Sequence, residues 1–238
     1  MTSPTSIQLM AKNVVAHPIS HAIDQYVHRI RDIKFAANLY MPIAQEISRE
    51  SKEGIRDDLR KTALLLETED RKTQVLAAKE ANRLLRRFVR MKNSDVPHKI
   101  EVGLYLSLFA SFDSFIGELL RAIYTCKKEL YSDINHVVSF EEILKAPSLD
   151  AIKNQVLEDE IDSIRRESYV KQFELLAKRF DIELKAFASW PLFVERSQRR
   201  NLLTHCDGIV SEQYISVCSK AGMDKNRLDS IGSQVRHP

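Results

Sequence analysis

Between residues 23 and 47 apolar side chains recur at intervals of three and four, at Ile23, Tyr26, Val27, Ile30, Ile33, Ala37, Tyr40, Ala44 and Ile47. That is the period of one buried face of an α-helix. Pro18 and Ser20 stand just ahead of the pattern as an entry signal, because proline suits the first helical turn and serine can accept from free backbone N–H groups. Pro42 predicts a kink. From Ile55 through Leu59, Thr62, Leu66, Thr73, Leu76 and Val89 the same period continues with polar interruptions, and Gly54 offers a break ahead of it. Residues 1–19 then read as a flexible N-terminus and 20–98 as a helical hairpin or coiled arm.

The cluster Asn93-Ser94-Asp95-Val96-Pro97 is turn-forming and marks the boundary expected near residue 98. Beyond it, Val102, Leu104, Leu106, Leu108, Phe109, Phe112, Phe115, Ile116, Leu119, Leu120 and Ile123 make a segment too apolar all round for a surface helix, so it is the expected central helix of a bundle. A loop or short helix over 132–149, helices over 150–166 and 168–180, and a last body over 192–203 entered at Trp190-Pro191 complete the pattern. The phenylalanines of 109–115 read as core. The fold class is all-α, a helical bundle over 99–238 with a helical arm before it.

Composition agrees. The chain of 238 residues has only 6 Gly and 7 Pro, so helix breakers are rare. Three cysteines, Cys126, Cys206 and Cys218, form no C-x-x-C pair and argue against a disulfide framework or a zinc ribbon, which fits a reducing cytoplasm. No uninterrupted apolar run approaches ~18 residues, so no membrane span is expected. The formal charge of +3 is uneven: residues 1–98 hold 17 Lys and Arg against 12 Asp and Glu, and the rest 19 against 21. Residues 83–92 carry five cations and no anion, namely Arg83, Arg86, Arg87, Arg90 and Lys92. They make a solvated helix face or a contact with an RNA backbone.

The densest polar stretch is 195–208, Glu195-Arg196-Ser197-Gln198-Arg199-Arg200-Asn201-Leu202-Leu203-Thr204-His205-Cys206-Asp207-Gly208. A histidine that titrates near neutrality can move a proton at a ribose 2′-hydroxyl or a leaving 5′-oxygen, and an arginine can hold the charge that grows on a phosphate. On one regular helix Arg200 and His205 stand roughly 140° and about 7.5 Å apart. They would converge on one phosphodiester if the helix ended or distorted near Thr204, or if two copies met across a two-fold axis. The competing structural roles are an ion pair of Arg200 with Glu195 or Glu212 and a helix-capping His205. Gly208 suits a positive φ after a helix end.

The run Arg200-Asn201-x-x-x-His205, with Glu195 and Arg199 before it and Asp207-Gly208 and Tyr214 after it, resembles the Arg-x(4–6)-His signature of the HEPN superfamily. Leu108-Phe109-Ala110-Ser111-Phe112-Asp113-Ser114-Phe115 is similar to an early helix of that bundle. Together these cover about residues 99–215. The resemblance implies a four- to five-helix bundle, a homodimer whose two motifs line one cleft, and a metal-independent endoribonuclease that leaves a cyclic phosphate and uses no cofactor. It further implies RNA as substrate and a setting in bacterial antiviral defence or a toxin–antitoxin system, with an antitoxin or other defence partner. Arg200 and His205 match the catalytic pair, Asn201 its polar neighbour, and Asp113 and Arg199 accessory positions. Subfamilies silenced by nucleotidylation carry tyrosine two residues after the histidine; Asp207 stands there, so that regulation is not expected. Residues 224–235 are either a short form of the family's last helix or the place where a fragment stops. The alternative function is a non-catalytic dimerisation or nucleotide-sensing module.

Overall fold

The computed structural model describes residues 17–93 and 95–235. Among them eight α-helices and three short 3-10 turns follow one another with no strand, and one isolated antiparallel bridge pairs Ile209 with Gln234. The chain is all-α, as the spacing of its apolar residues predicts. The helices are α1 (Pro18–Leu66), α2 (Arg71–Asn93), α3 (Val96–Cys126), α4 (Phe140–Lys145), α5 (Leu149–Arg166), α6 (Tyr169–Phe180), α7 (Trp190–His205) and α8 (Glu212–Lys220). Pro18 is the first helical residue, where its missing N–H costs nothing. Of the expected flexible stretch 1–19, residues 1–16 lie outside the described residues, and Pro18 and Ile19 already belong to α1.

The hairpin is present, but its turn is not at Gly54. α1 runs unbroken through Pro42 and Gly54 and stops at Leu66. A glycine in a helix interior costs only about 1 kcal/mol relative to alanine, too little to end a helix with good formers on both sides. The break falls at 67–70, where Asp70 accepts hydrogen bonds from the backbone N–H of Lys72 and Thr73 (3.2 and 3.1 Å) and so starts α2. The Arg56 guanidinium lies 5.5 Å from the centre of the Phe88 ring and ties the two helices together.

The chain divides into two compact units, and neither is continuous in sequence. The first holds residues up to Ile30, Ala110–Ser197 and Val217–Met223; the second holds Arg31–Phe109, Gln198–Ser216 and residues from Asp224 onward. The apolar pattern alone suggests two consecutive regions instead, 20–98 and 99–238. In the first unit, Ile116, Leu120 and Tyr124 of α3 pack with Leu157, Ile161 and Ile164 of α5 and Leu176 of α6. Above this core sits an aromatic cluster: Phe112 lies within 6.2 Å, centroid to centroid, of Tyr26, Tyr169, Phe173 and Phe193. Such edge and offset contacts add to simple burial. Two bidentate ion pairs brace the same unit, Arg29–Glu118 (2.8 Å for both bonds) and Arg121–Glu158. Ser148 and Ser168 cap α5 and α6.

In the second unit Ile55, Ala77, Leu84, Leu202, Val210 and Tyr214 are buried. Of the stripe expected to be the buried face of α1 no residue is fully buried: Ile23, Val27, Tyr40 and Ile47 are exposed and Tyr26, Ile30, Ile33, Ala37 and Ala44 half-buried, and off the stripe Phe35, Leu39 and Ile43 are exposed as well. Periodicity marks a stripe; burial needs an opposing surface. Residues 224–235 are not a short last helix, one of the two readings of them: they hold one 3-10 turn, Lys225–Arg227, a turn at 231–232 and the bridge residue Gln234. Within Arg71–Cys126 an 18-residue window reaches a mean hydropathy of 1.3, long and apolar enough to cross a membrane by length and composition. The expectation of no membrane span rests on unbroken apolar runs, and an average tolerates isolated polar residues that a run does not. A core helix passes the same test.

Two outcomes follow from these contacts. A β-carbon added at Gly54 meets nothing within 4 Å, so Gly54→Ala will raise stability by about 0.4–1 kcal/mol, read as a higher denaturation midpoint in urea. The paired Arg29 guanidinium, chiefly through its hydrogen bonds, holds the Glu118 carboxyl below the usual carboxylate range. A depressed folded pKa gives stability that is present above the unfolded pKa and lost as pH falls through the folded one. With both side chains about a third exposed, the pair is worth at most about 1 kcal/mol. The difference in Tm between wild type and Glu118→Gln will be constant near neutrality and shrink below about pH 4.3.

Candidate functional site

The polar stretch singled out above occupies the second half of α7 and the loop that ends it. α7 stays helical through His205, so the helix neither stops nor distorts at Thr204. Arg200 and His205 therefore keep the roughly 140° separation of a regular helix. Arg200 is half-buried and His205 exposed. The Arg200 guanidinium donates from Nη1 to Oδ1 of Asn201 at 3.1 Å, and its backbone carbonyl accepts from the Thr204 hydroxyl at 2.8 Å. Neither Glu195 nor Glu212 pairs with Arg200 among the described residues. Asn201 thus orients the arginine without neutralising it. His205 is exposed, and its imidazole makes no hydrogen bond or ion pair among the described residues.

The chain leaves α7 through a tight C-terminal cap. The Cys206 and Gly208 N–H groups both bond the Leu202 carbonyl (2.8 and 2.9 Å), and a left-handed residue lies between them in this seven-residue closure. Asp207 fills that place at φ 48°, and Gly208 follows at φ 75°. The expected positive φ at Gly208 is there, but it is the second of two. The tail then clamps this loop. Gln234 donates to the Asp207 carbonyl at 2.6 Å, Val235 N–H bonds Gly208 at 2.8 Å, and Val210 exchanges bonds with Gly232 and Ser233 at 2.9 Å each. Sequence reading missed Gln234 and the whole 232–235 segment, because a bridge between residues 25 apart leaves no local periodicity.

The other candidates are committed elsewhere. Arg199 is 8 % exposed and ion-pairs at 3.7 Å with Asp229, itself 6 % exposed. A buried guanidinium facing a buried carboxylate is a structural brace, and it leaves Arg199 little surface to offer a substrate. Asp113 belongs to the first unit, where its carboxylate accepts from the Tyr169 hydroxyl at 2.7 Å. Glu195 is buried in that unit beside Arg196. Tyr214 is buried in α8, and Cys206 is exposed. No cluster of three or more His, Cys, Asp or Glu suited to a metal ion occurs among the described residues.

On α2, Arg83, Arg86, Arg87 and Arg90 line a groove of about 500 Å³ together with Lys79 and Asn82, which the charge run did not include. Lys92 is absent from that lining. Arg83 is held by Glu80 through two hydrogen bonds of 2.8 and 2.5 Å; Arg86, Arg87 and Arg90 have no acidic partner among the described residues.

Of these features the glycine is the sharpest structural test. A β-carbon at Gly208 would stand 2.5 Å from the Gln234 amide nitrogen, on a backbone at positive φ. Gly208→Ala will lower stability by about 1–2 kcal/mol in chemical denaturation, the opposite sign to Gly54→Ala. No protein-family model, curated protein or solved structure matches the chain.

Proposed function

We propose that this chain is an endoribonuclease that cleaves RNA by attack of the 2′-oxygen on the adjacent phosphodiester, leaving a cyclic phosphate. His205 moves the proton at the 2′-hydroxyl or the leaving 5′-oxygen, Arg200 holds the charge growing on the phosphate oxygens, and Asn201 sets the guanidinium's direction. The proton and the negative charge are both handled by side chains, so the reaction as proposed calls for no metal. The observation that carries this reading is that Arg200 and His205 are the two chemically versatile groups of α7 left without acidic partners, while Glu195 and Arg199 beside them are buried. Because a regular helix aims the pair apart, the reading requires a homodimer in which Arg200 of one copy and His205 of the other meet one phosphate. The HEPN-like spacing supports the same arrangement and suggests service in bacterial antiviral defence or a toxin–antitoxin pair.

In EDTA, wild type will convert RNA to products with 2′,3′-cyclic ends, and His205→Ala and Arg200→Ala will each be slower by at least ~100-fold. Mixing the two variants will restore roughly a quarter of wild-type activity if each active centre draws on both copies. Equal cleavage by all three proteins would reject the assignment. A second reading, a non-catalytic interaction module, is favoured by one observation, the exposed apolar residues of α1 from Phe35 to Ile47. It predicts a wild type inert on every RNA and a cellular phenotype that survives loss of both Arg200 and His205.

A further inference from the structure

The charge run 83–92 is a feature of sequence; α2 sorts it by face. At 100° per residue, Lys72, Lys79, Arg83, Arg86 and Arg90 fall within an arc of about 60°, and Arg87 flanks it. Lys92 stands about 160° from Arg90 and leaves the row. Ala77 and Leu84, the buried apolar residues of α2, lie on the opposite side, so the row points to solvent. It is about 27 Å long, and from Lys79 onward its cations are about 4.5–6 Å apart along the axis, the scale of one or two nucleotide steps. Asn82, also lining the groove, adds an amide donor and acceptor between the cations. Two carboxylates lie near the row at Arg83: Glu80, whose two bonds use up part of that guanidinium, and Asp58 of α1, whose charge also acts on Arg83 without a hydrogen bond to it.

We infer that this face of α2 is a docking track for the phosphodiester backbone of single-stranded nucleic acid, contacted through Lys72, Lys79, Arg83, Arg86 and Arg90 and indifferent to base identity. A row of cations at near-regular spacing matches a row of phosphates. The lining of this groove holds no aromatic side chain for bases to stack on, and recognition through phosphate alone carries no sequence information. Glu80 acts as a built-in brake on the track by occupying Arg83. The inference rests on the nuclease reading only for the identity of the polymer; binding and cleavage are separate measurements.

The full-length His205→Ala protein, in which the proposed cleavage is blocked, is titrated with a labelled oligouridylate and a labelled oligocytidylate over a range of salt. Five phosphate contacts give a slope of log K against log salt of about −3.5 for single strands, equal for the two oligomers. Adding Arg86→Gln and Arg90→Gln will bring the slope to about −2.1, and adding Glu80→Gln alone will tighten binding several-fold. Far-UV circular dichroism confirms that these exposed substitutions leave the helices intact. An unchanged slope in the double variant, or capture by phosphatidylserine vesicles with no binding to either oligomer, would overturn the track. If wild type proves inert on RNA while the slopes behave as stated, the nuclease reading falls and the track stands; if wild type cleaves while α2 variants bind normally, the reverse holds.

Discussion

An α-helix places residues five apart on different sides of its axis, and the arrangement of the polar groups at the end of α7 descends from that. α7 is regular to His205, so Arg200 and His205 cannot aim at one atom from a single copy. The C-terminal cap enforces it. The paired bonds to the Leu202 carbonyl, the left-handed Asp207 and Gly208, and the tail residues Gln234 and Val235 hold the end of α7 in one geometry. A looser end could have let the imidazole swing back toward the guanidinium. Instead the two groups are held apart, the arginine aligned by Asn201 and the histidine exposed.

The same helix shows how polar residues are divided between structure and chemistry. Glu195, Ser197, Gln198 and Arg199 are buried within one turn and a half, where an ionised group is tolerated only with a partner. Asp229 meets Arg199 for that reason, and the segment that carries Asp229 continues into the bridge over Gly208–Val210. Burial turns Arg199 into a brace, while its neighbour Arg200, one position round the helix, stays available. Two adjacent arginines thus differ in burial and pairing, decided by which side of α7 each occupies.

A comparable division organises α2. Ala77 and Leu84 anchor one side, and the cations gather on the other. The arm formed by α1 and α2 carries both the basic row and the exposed apolar residues of α1, so its surface is more than a spacer. α1, α3, α7 and α8 each contribute residues to both compact units.

Much of the local architecture was legible in the residues themselves. The turn cluster at 93–97, the proline at the start of α1 and the three-four spacing of apolar residues are near-neighbour effects, and near neighbours decide entries, turns and periods. The motif Arg200-Asn201-x-x-x-His205 was legible for the same reason, as was the positive charge of 83–92. Long-range pairing was not. That Gly54 would be passed over and Asp70 would start the next helix depended on competing costs of about a kilocalorie. That Arg199 would find Asp229, that 232–235 would lie along 208–210, that no residue of the α1 stripe would be fully buried, and that Lys72 and Lys79 rather than Lys92 would join the arginine row all required the folded chain. Sequence by itself determined the helical class and the residue types each helix carries; tertiary structure decided which charges are buried and which are exposed, because burial is set by residues distant in the chain and leaves no period to read.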